Sequence, residues 1–129
     1  MKVNKFIKTF DVRFTDLNAG NHLSNHMFLA YITDHLSCYL NEHGWSLGNI
    51  HGYSTLLTEA SIKFKREVFE FDRVTIGISK TIIKSRKLSL HFTATVEDKI
   101  VAISVHDYSF MKDHRISSIN EDITKLFSI

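Results

Sequence analysis

The sequence predicts an α+β domain in which a five-stranded antiparallel sheet wraps around one long helix. Three observations carry this: a single stretch of helical period in the first third of the chain, four runs of alternating apolar and polar residues behind it, and short polar breaks between those runs. With one helix to cover about five strands, curling the sheet around the helix is the economical way to bury both. The chain has 129 residues, enough for one domain spanning 1–129 and too few for two.

Residues 5–15 alternate, with Phe10, Val12 and Phe14 on one parity and Asp11, Arg13 and Thr15 on the other. That is a half-buried strand with the three apolar residues in the core. Residues 16–22 are rich in turn formers and follow neither period, so they form a loop able to gather several polar side chains. Ser24 or Asn25 caps the helix that follows. Met27, Ala30, Tyr31, Asp34 and Cys38 recur at helical spacing, as do Phe28, Ile32, Leu36, Tyr39 and Leu40. His43 and Gly44 end it after about 19 residues, roughly 28 Å of axis. A helix so apolar on most of its circumference is expected to be enclosed by other structure.

The next strand carries Leu56, Thr58, Ala60, Ile62 and Phe64 against Glu59, Ser61, Lys63 and Lys65. Val74, Ile76 and Ile78 begin a second run, Leu88, Leu90, Phe92, Ala94 and Val96 a third, and Val101, Ile103 and Val105 a fourth. Polar breaks at 70–73, 84–87 and 97–99 supply the connections. Residues 120–127 form a short closing helix with Asn120 as its cap. Ile83, Ile100 and Tyr108 fall to the other sheet face, which makes that face a surface for self-association.

A composition that is 43% hydrophobic and 23% charged excludes a disordered or collagen-like chain and requires a packed core. Proline is absent where average usage of about 5% predicts roughly six, so no Pro-rich linker exists and glycine and polar residues make the turns. The lone cysteine, Cys38, excludes an intramolecular disulfide and a thiolate zinc cluster, and it reads as a small core residue. Residues 1–10 lack an apolar run long enough for a signal peptide or a membrane span, so a cytoplasmic location without membrane insertion is expected. A net charge of +2 gives no reason to expect a nucleic-acid partner. Of the eight histidines, His22 and His26 stand at i, i+4 spacing, but no HExxH pattern and no third ligand accompany them, and no metal site is expected.

The run Val12-Arg13-Phe14-Thr15-Asp16-Leu17-Asn18-Ala19-Gly20-Asn21-His22-Leu23-Ser24-Asn25, followed by an apolar helix, resembles the start of hotdog-fold acyl-CoA thioesterases of the 4-hydroxybenzoyl-CoA thioesterase-like type. Glu59-Ala60-Ser61-Ile62-Lys63-Phe64 resembles their second strand, and Phe71-Asp72-Arg73-Val74 the turn into their third. The likeness covers about residues 5–112, and its most specific part is the Arg-Phe-x-Asp to His-x-x-Asn stretch. It implies a homodimer or a dimer of dimers, with two active sites where sheets join edge to edge. It also implies thioester hydrolysis by a carboxylate base or nucleophile, without a metal or redox cofactor, coenzyme A being part of the substrate. A backbone N–H near the start of the helix would polarise the thioester carbonyl, which places the oxyanion site around Ser24, Asn25 and His26.

Many relatives of this type carry Asp where this chain has Asn18, and an amide is neither a base nor a good nucleophile at neutral pH. Relatives of a second type carry an acidic residue about two turns into the helix. Asp34 stands nine residues after Asn25, about 2.5 turns, and is the preferred carboxylate. The competing reading of Asp34 is an ordinary acid on a solvated helix face. Asp16 is a second candidate base, against a simple turn-forming role. Asn18 and His22 are expected to position the reacting groups. By the same resemblance Glu59 belongs with the substrate-binding residues, and Lys84, Arg86 and Lys87 would meet the nucleotide phosphates, against a plain solvated turn. The rival functions are a noncatalytic acyl-thioester-binding protein and a dehydratase on the same fold.

Overall fold

The computed structural model describes residues 6–128, so Lys5, where the first expected strand begins, lies outside the described residues. The chain runs β1 (Ile7–Asp11), a single 3-10 turn (Phe14–Asp16), α1 (Asn25–Glu42), β2 (Ser54–Phe64), β3 (Arg73–Lys84), β4 (Lys87–Val96), β5 (Lys99–Lys112), β6 (Arg115–Ser117) and α2 (Glu121–Leu126). One antiparallel sheet has the order β1-β3-β4-β5-β2, and β6 pairs with β5 to make six strands where five were expected. The three-residue β6 is too short to show a period. It pairs Phe110 to Lys112, past the last pairing of β4 with β5 at Leu88 and Tyr108.

The helix α1 lies where its period and caps put it. The Ser24 hydroxyl accepts the Met27 N–H at 3.3 Å, and Gly44 leaves the helix at φ +81°. Phe28, Ile32, Leu36 and Leu40 are fully buried against Val74, Ile76, Ile78, Leu90 and Phe92 of the sheet. Each such side chain contributes about 1.5–3 kcal/mol, so this face carries much of the fold's stability. The helix is not enclosed all round, however. His26, Ala30, Thr33, Asp34 and Ser37 form an exposed stripe.

Three local features overrule the strand alternation. After Val12, the Arg13 N–H bonds to the Asp16 carboxylate at 3.0 Å and the Leu17 N–H to the Phe14 carbonyl at 3.2 Å. The strand therefore ends in a 3-10 turn, and Phe14 rotates outward to 69% exposure instead of joining the core. On β3 the register shifts between Ile78 and Lys80, which turns Ile83 toward the core face opposite Leu88. On β5 the core row is Ala102, Ser104, His106, Tyr108 and Phe110, all buried, while Ile103 and Val105 on the other face are only half-buried. Tyr108 and Ile83 thus belong to the core and not to an outer association face.

The strand β2 is an edge. Its burial pattern is mostly exposed, with Leu56 and Leu57 open to solvent at 44% and 38%. The closing helix sits as expected, with the Asn120 side chain accepting the Ile123 N–H at 2.9 Å.

Candidate active site

The loop before α1 is shaped by its own polar side chains. The Asn18 side-chain oxygen accepts the Gly20 N–H at 2.8 Å, the Asn18 N–H meets the His22 carbonyl at 2.9 Å, and the Asn21 N–H returns to the Asn18 carbonyl at 3.0 Å. Gly20 has a reason to be glycine. A Cβ there would stand 2.9 Å from His22 Nε2 and 3.3 Å from the Asn18 oxygen, so the imidazole occupies the space a side chain would need.

Two backbone bonds fix this loop in the fold. The Ser24 N–H bonds to the Asp16 carbonyl at 3.0 Å, and the Leu23 N–H to the Val68 carbonyl at 2.7 Å. The second draws the β2–β3 connection against the loop. Between them opens a basin of about 270 Å³ lined by Asn18, His22, Asn25, Lys65, Arg66 and Glu67, with Leu23, Phe64 and Val68 as its apolar floor. Glu67 Oε1 stands 3.9 Å from His22 Nε2.

Asn25 and His26 open α1, and their N–H groups have no hydrogen-bond partner among the described residues. Such groups carry the positive end of the helix dipole and suit a carbonyl oxygen that gains charge. The first turn is also a divide. Asn25 faces the basin, whereas His26 faces a second, more open groove of about 560 Å³ shared with Ala30, Thr33, Asp34 and Ser37.

The expected carboxylates are not in the basin. Asp34 lies in the helix-face groove with its side chain 56% exposed, 3.8 Å from Lys8 Nζ. Asp16 is buried at 1% exposure and accepts the Tyr31 hydroxyl at 2.5 Å. Burial alone would raise the Asp16 pKa. The Tyr31 hydroxyl, the Arg13 N–H and the Arg13 guanidinium outweigh it and hold the carboxyl below the usual range. An acid so placed holds the loop to the helix and offers no free oxygen to the basin.

Other expected residues stand further away. Glu59 faces Asp107 across β2 and β5, about 16 Å along the strand from Phe64. Lys84, Arg86 and Lys87 form the exposed β3–β4 turn, where Lys87 Nζ lies 3.6 Å from Asp107. That turn is level with Tyr108, while the basin is level with Val101, whose carbonyl accepts the Lys65 and Arg66 N–H groups. The separation is about 23 Å along β5. Ser24 acts as the helix cap. Arg66 and Glu67 went unread in the sequence, because only the Leu23–Val68 contact brings their segment to the loop.

Among the described residues, no group of three or more His, Cys, Asp or Glu is placed to hold a metal ion, and no helix is long and apolar enough to cross a membrane.

A single antiparallel sheet packed on one long helix, with a polar basin at that helix's first turn, defines a hotdog domain. The chain belongs to the Thioesterase-like superfamily, whose family model matches residues 12–127. Among solved structures, a hypothetical protein from Aquifex aeolicus is 17% identical with a TM-score of 0.87, covering 96% of this chain and 100% of its own. A 1,4-dihydroxy-2-naphthoyl-CoA thioesterase from Synechocystis is 15% identical with a TM-score of 0.81, covering 94% and 93%. A gentisyl-coenzyme A thioesterase is 17% identical with a TM-score of 0.82, covering 95% and 99%. No curated protein matches the chain.

Proposed function

We propose that this protein hydrolyses an acyl-CoA thioester, working as a homodimer or a dimer of dimers. The observation that carries the reading is the first turn of α1, where the N–H groups of Asn25 and His26 have no hydrogen-bond partner among the described residues and Asn25 borders a basin that also holds Asn18 and His22. A thioester carbonyl set against that turn is polarised as water adds to it. Superfamily membership and the CoA thioesterases among the structural relatives support the substrate class.

The bare β2 edge, with Leu56 and Leu57 exposed, is the natural place for a second copy to join. Asp34 fits this arrangement in one way only. Nine residues of helix put it about 13.5 Å along the axis from Asn25, so it reaches a carbonyl at that turn only from the other copy.

Purified protein incubated with a panel of aliphatic and aromatic acyl-CoA esters is expected to release free thiol. A noncatalytic acyl-CoA-binding protein is the second reading, favoured by Asn18, whose side-chain oxygen is engaged with Gly20. Acyl-CoA that stays bound and intact for hours would establish it in place of hydrolysis.

A further inference from the structure

Within the hydrolase reading, on which this inference rests, we propose that the base is built within one chain from His22 and Glu67, two residues 45 positions apart that meet at the mouth of the basin. Glu67 is a positioning residue and His22 the catalytic one. Three features converge on this pair. Glu67 Oε1 lies 3.9 Å from His22 Nε2, a gap within reach of a rotation of the exposed Glu67 side chain, as catalytic contacts often tighten when substrate binds. Gly20 leaves the imidazole room beside Asn18. The 2.7 Å bond from the Leu23 N–H to the Val68 carbonyl joins the residues next to each member, so the pair is held by backbone and not by two mobile side chains alone. Both residues line the basin that Asn25 borders, which neither Asp16 nor Asp34 does.

The chemistry is that of an imidazole held by a carboxylate. Nε2–H of His22 donates a hydrogen bond to the Glu67 carboxylate, which leaves Nδ1 of His22 as the acceptor. Water gives a proton to Nδ1 as its oxygen bonds to the thioester carbon, and the carbonyl pair moves onto oxygen beside the Asn25 and His26 N–H groups. The intermediate collapses with rupture of the carbon–sulfur bond. The sulfur leaves with the proton returned by His22, giving the free acid and the thiol of coenzyme A, while Glu67 stays ionised throughout.

An exposed ion pair with no further role would also bring these side chains together, so the test has to separate the two. Thiol release from the best acyl-CoA of the panel is measured for the wild type, Glu67→Gln, Glu67→Asp, Glu67→Ala with and without sodium formate, and His22→Ala, with melting temperatures alongside. Glu67→Gln is expected to lower kcat about tenfold or more with little change in KM or melting temperature, and His22→Ala by roughly a hundredfold. Glu67→Asp and formate added to Glu67→Ala should restore part of the rate. Wild-type kcat in Glu67→Gln overturns this proposal and leaves the hydrolase reading intact. Equal loss in Glu67→Gln and Glu67→Asp without formate rescue overturns it too, by showing a structural role. A wild-type chain that releases no thiol from any ester removes the hydrolase reading and this proposal together.

Discussion

Tyr31 donates its hydroxyl to the Asp16 carboxylate at 2.5 Å, tying the middle of α1 to the loop that precedes it. Phe10 stacks on the same ring at 4.7 Å, so the aromatic group is clamped between strand and loop. Burial first, and the neighbouring carboxylate second, raise the phenol's pKa well above the usual tyrosine value, and the hydroxyl keeps its proton. Tyr31→Phe keeps the stacking and leaves a buried, ionised acid short of a donor. The expected cost is about 1.5–3 kcal/mol in urea unfolding at neutral pH. A cost below about 0.5 kcal/mol would show the contact to be incidental.

Phe71 holds a left-handed backbone at φ +73° with its side chain 84% exposed, between an N–H bonded to the Val12 carbonyl and the turn into β3. The phenyl ring returns little burial for that conformation, which costs a non-glycine residue about 1 kcal/mol or more. Phe71→Gly removes the strain and is expected to raise stability by roughly 0.5–1 kcal/mol, less what glycine adds to the freedom of the unfolded chain. A lower melting temperature would place the ring in a contact that stabilises the fold.

Burial pushes the His106 pKa down to about 4, against a small opposing effect of Asp107, and burial also depresses that of His35. Among the described residues Nδ1 of each ring has no hydrogen-bond partner, while Nε2 of His35 meets the Phe6 carbonyl and that of His106 meets the Ser104 hydroxyl. The folded state therefore binds these protons less readily than the unfolded one. Their contribution is fully present above the ordinary histidine value of about 6.5 and is lost as pH falls from there toward 4, a loss for His106 of about 3 kcal/mol at the acid end. Unfolding free energies measured across that window should fall, and His106→Gln should flatten the decline. An unchanged slope in the variant would assign the acid sensitivity to other groups.

Where one face of an element is buried and the other wet, the alternation found it. The helix from Ser24 to Gly44 is of this kind. The alternation failed where polar residues are buried or a bulge intervenes. Ser104 and His106 occupy core positions of β5, so counting apolar residues selected Ile103 and Val105 and reversed the strand's faces. One extra residue after Ile78 did the same to Ile83. Phe14 continues a pattern that the bond from the Arg13 N–H to the Asp16 carboxylate has already ended. In the site, Asn18, His22 and Asn25 were legible because they are close in sequence. Glu67 was not, because a contact across 45 residues leaves no local period.

The exposed β2 edge gives the proposed dimer a direct check. Leu57→Asp puts a charge on that edge without touching the basin residues. Sedimentation velocity is expected to shift from the dimer to the monomer, with thiol release falling in parallel. A dimer that survives the change would place the interface elsewhere.

The bond from the Leu23 N–H to the Val68 carbonyl makes one wall of the basin a property of the β2–β3 connection rather than of the Asp16–Asn25 run. That connection can gain or lose a residue in the course of evolution with little harm to the core. Two chains could then share every letter of the recognisable run and still differ in chemistry, because the wall facing it had been redrawn. For proteins of this shape, the length and charge of that short connection should sort activities better than the run by which they are recognised.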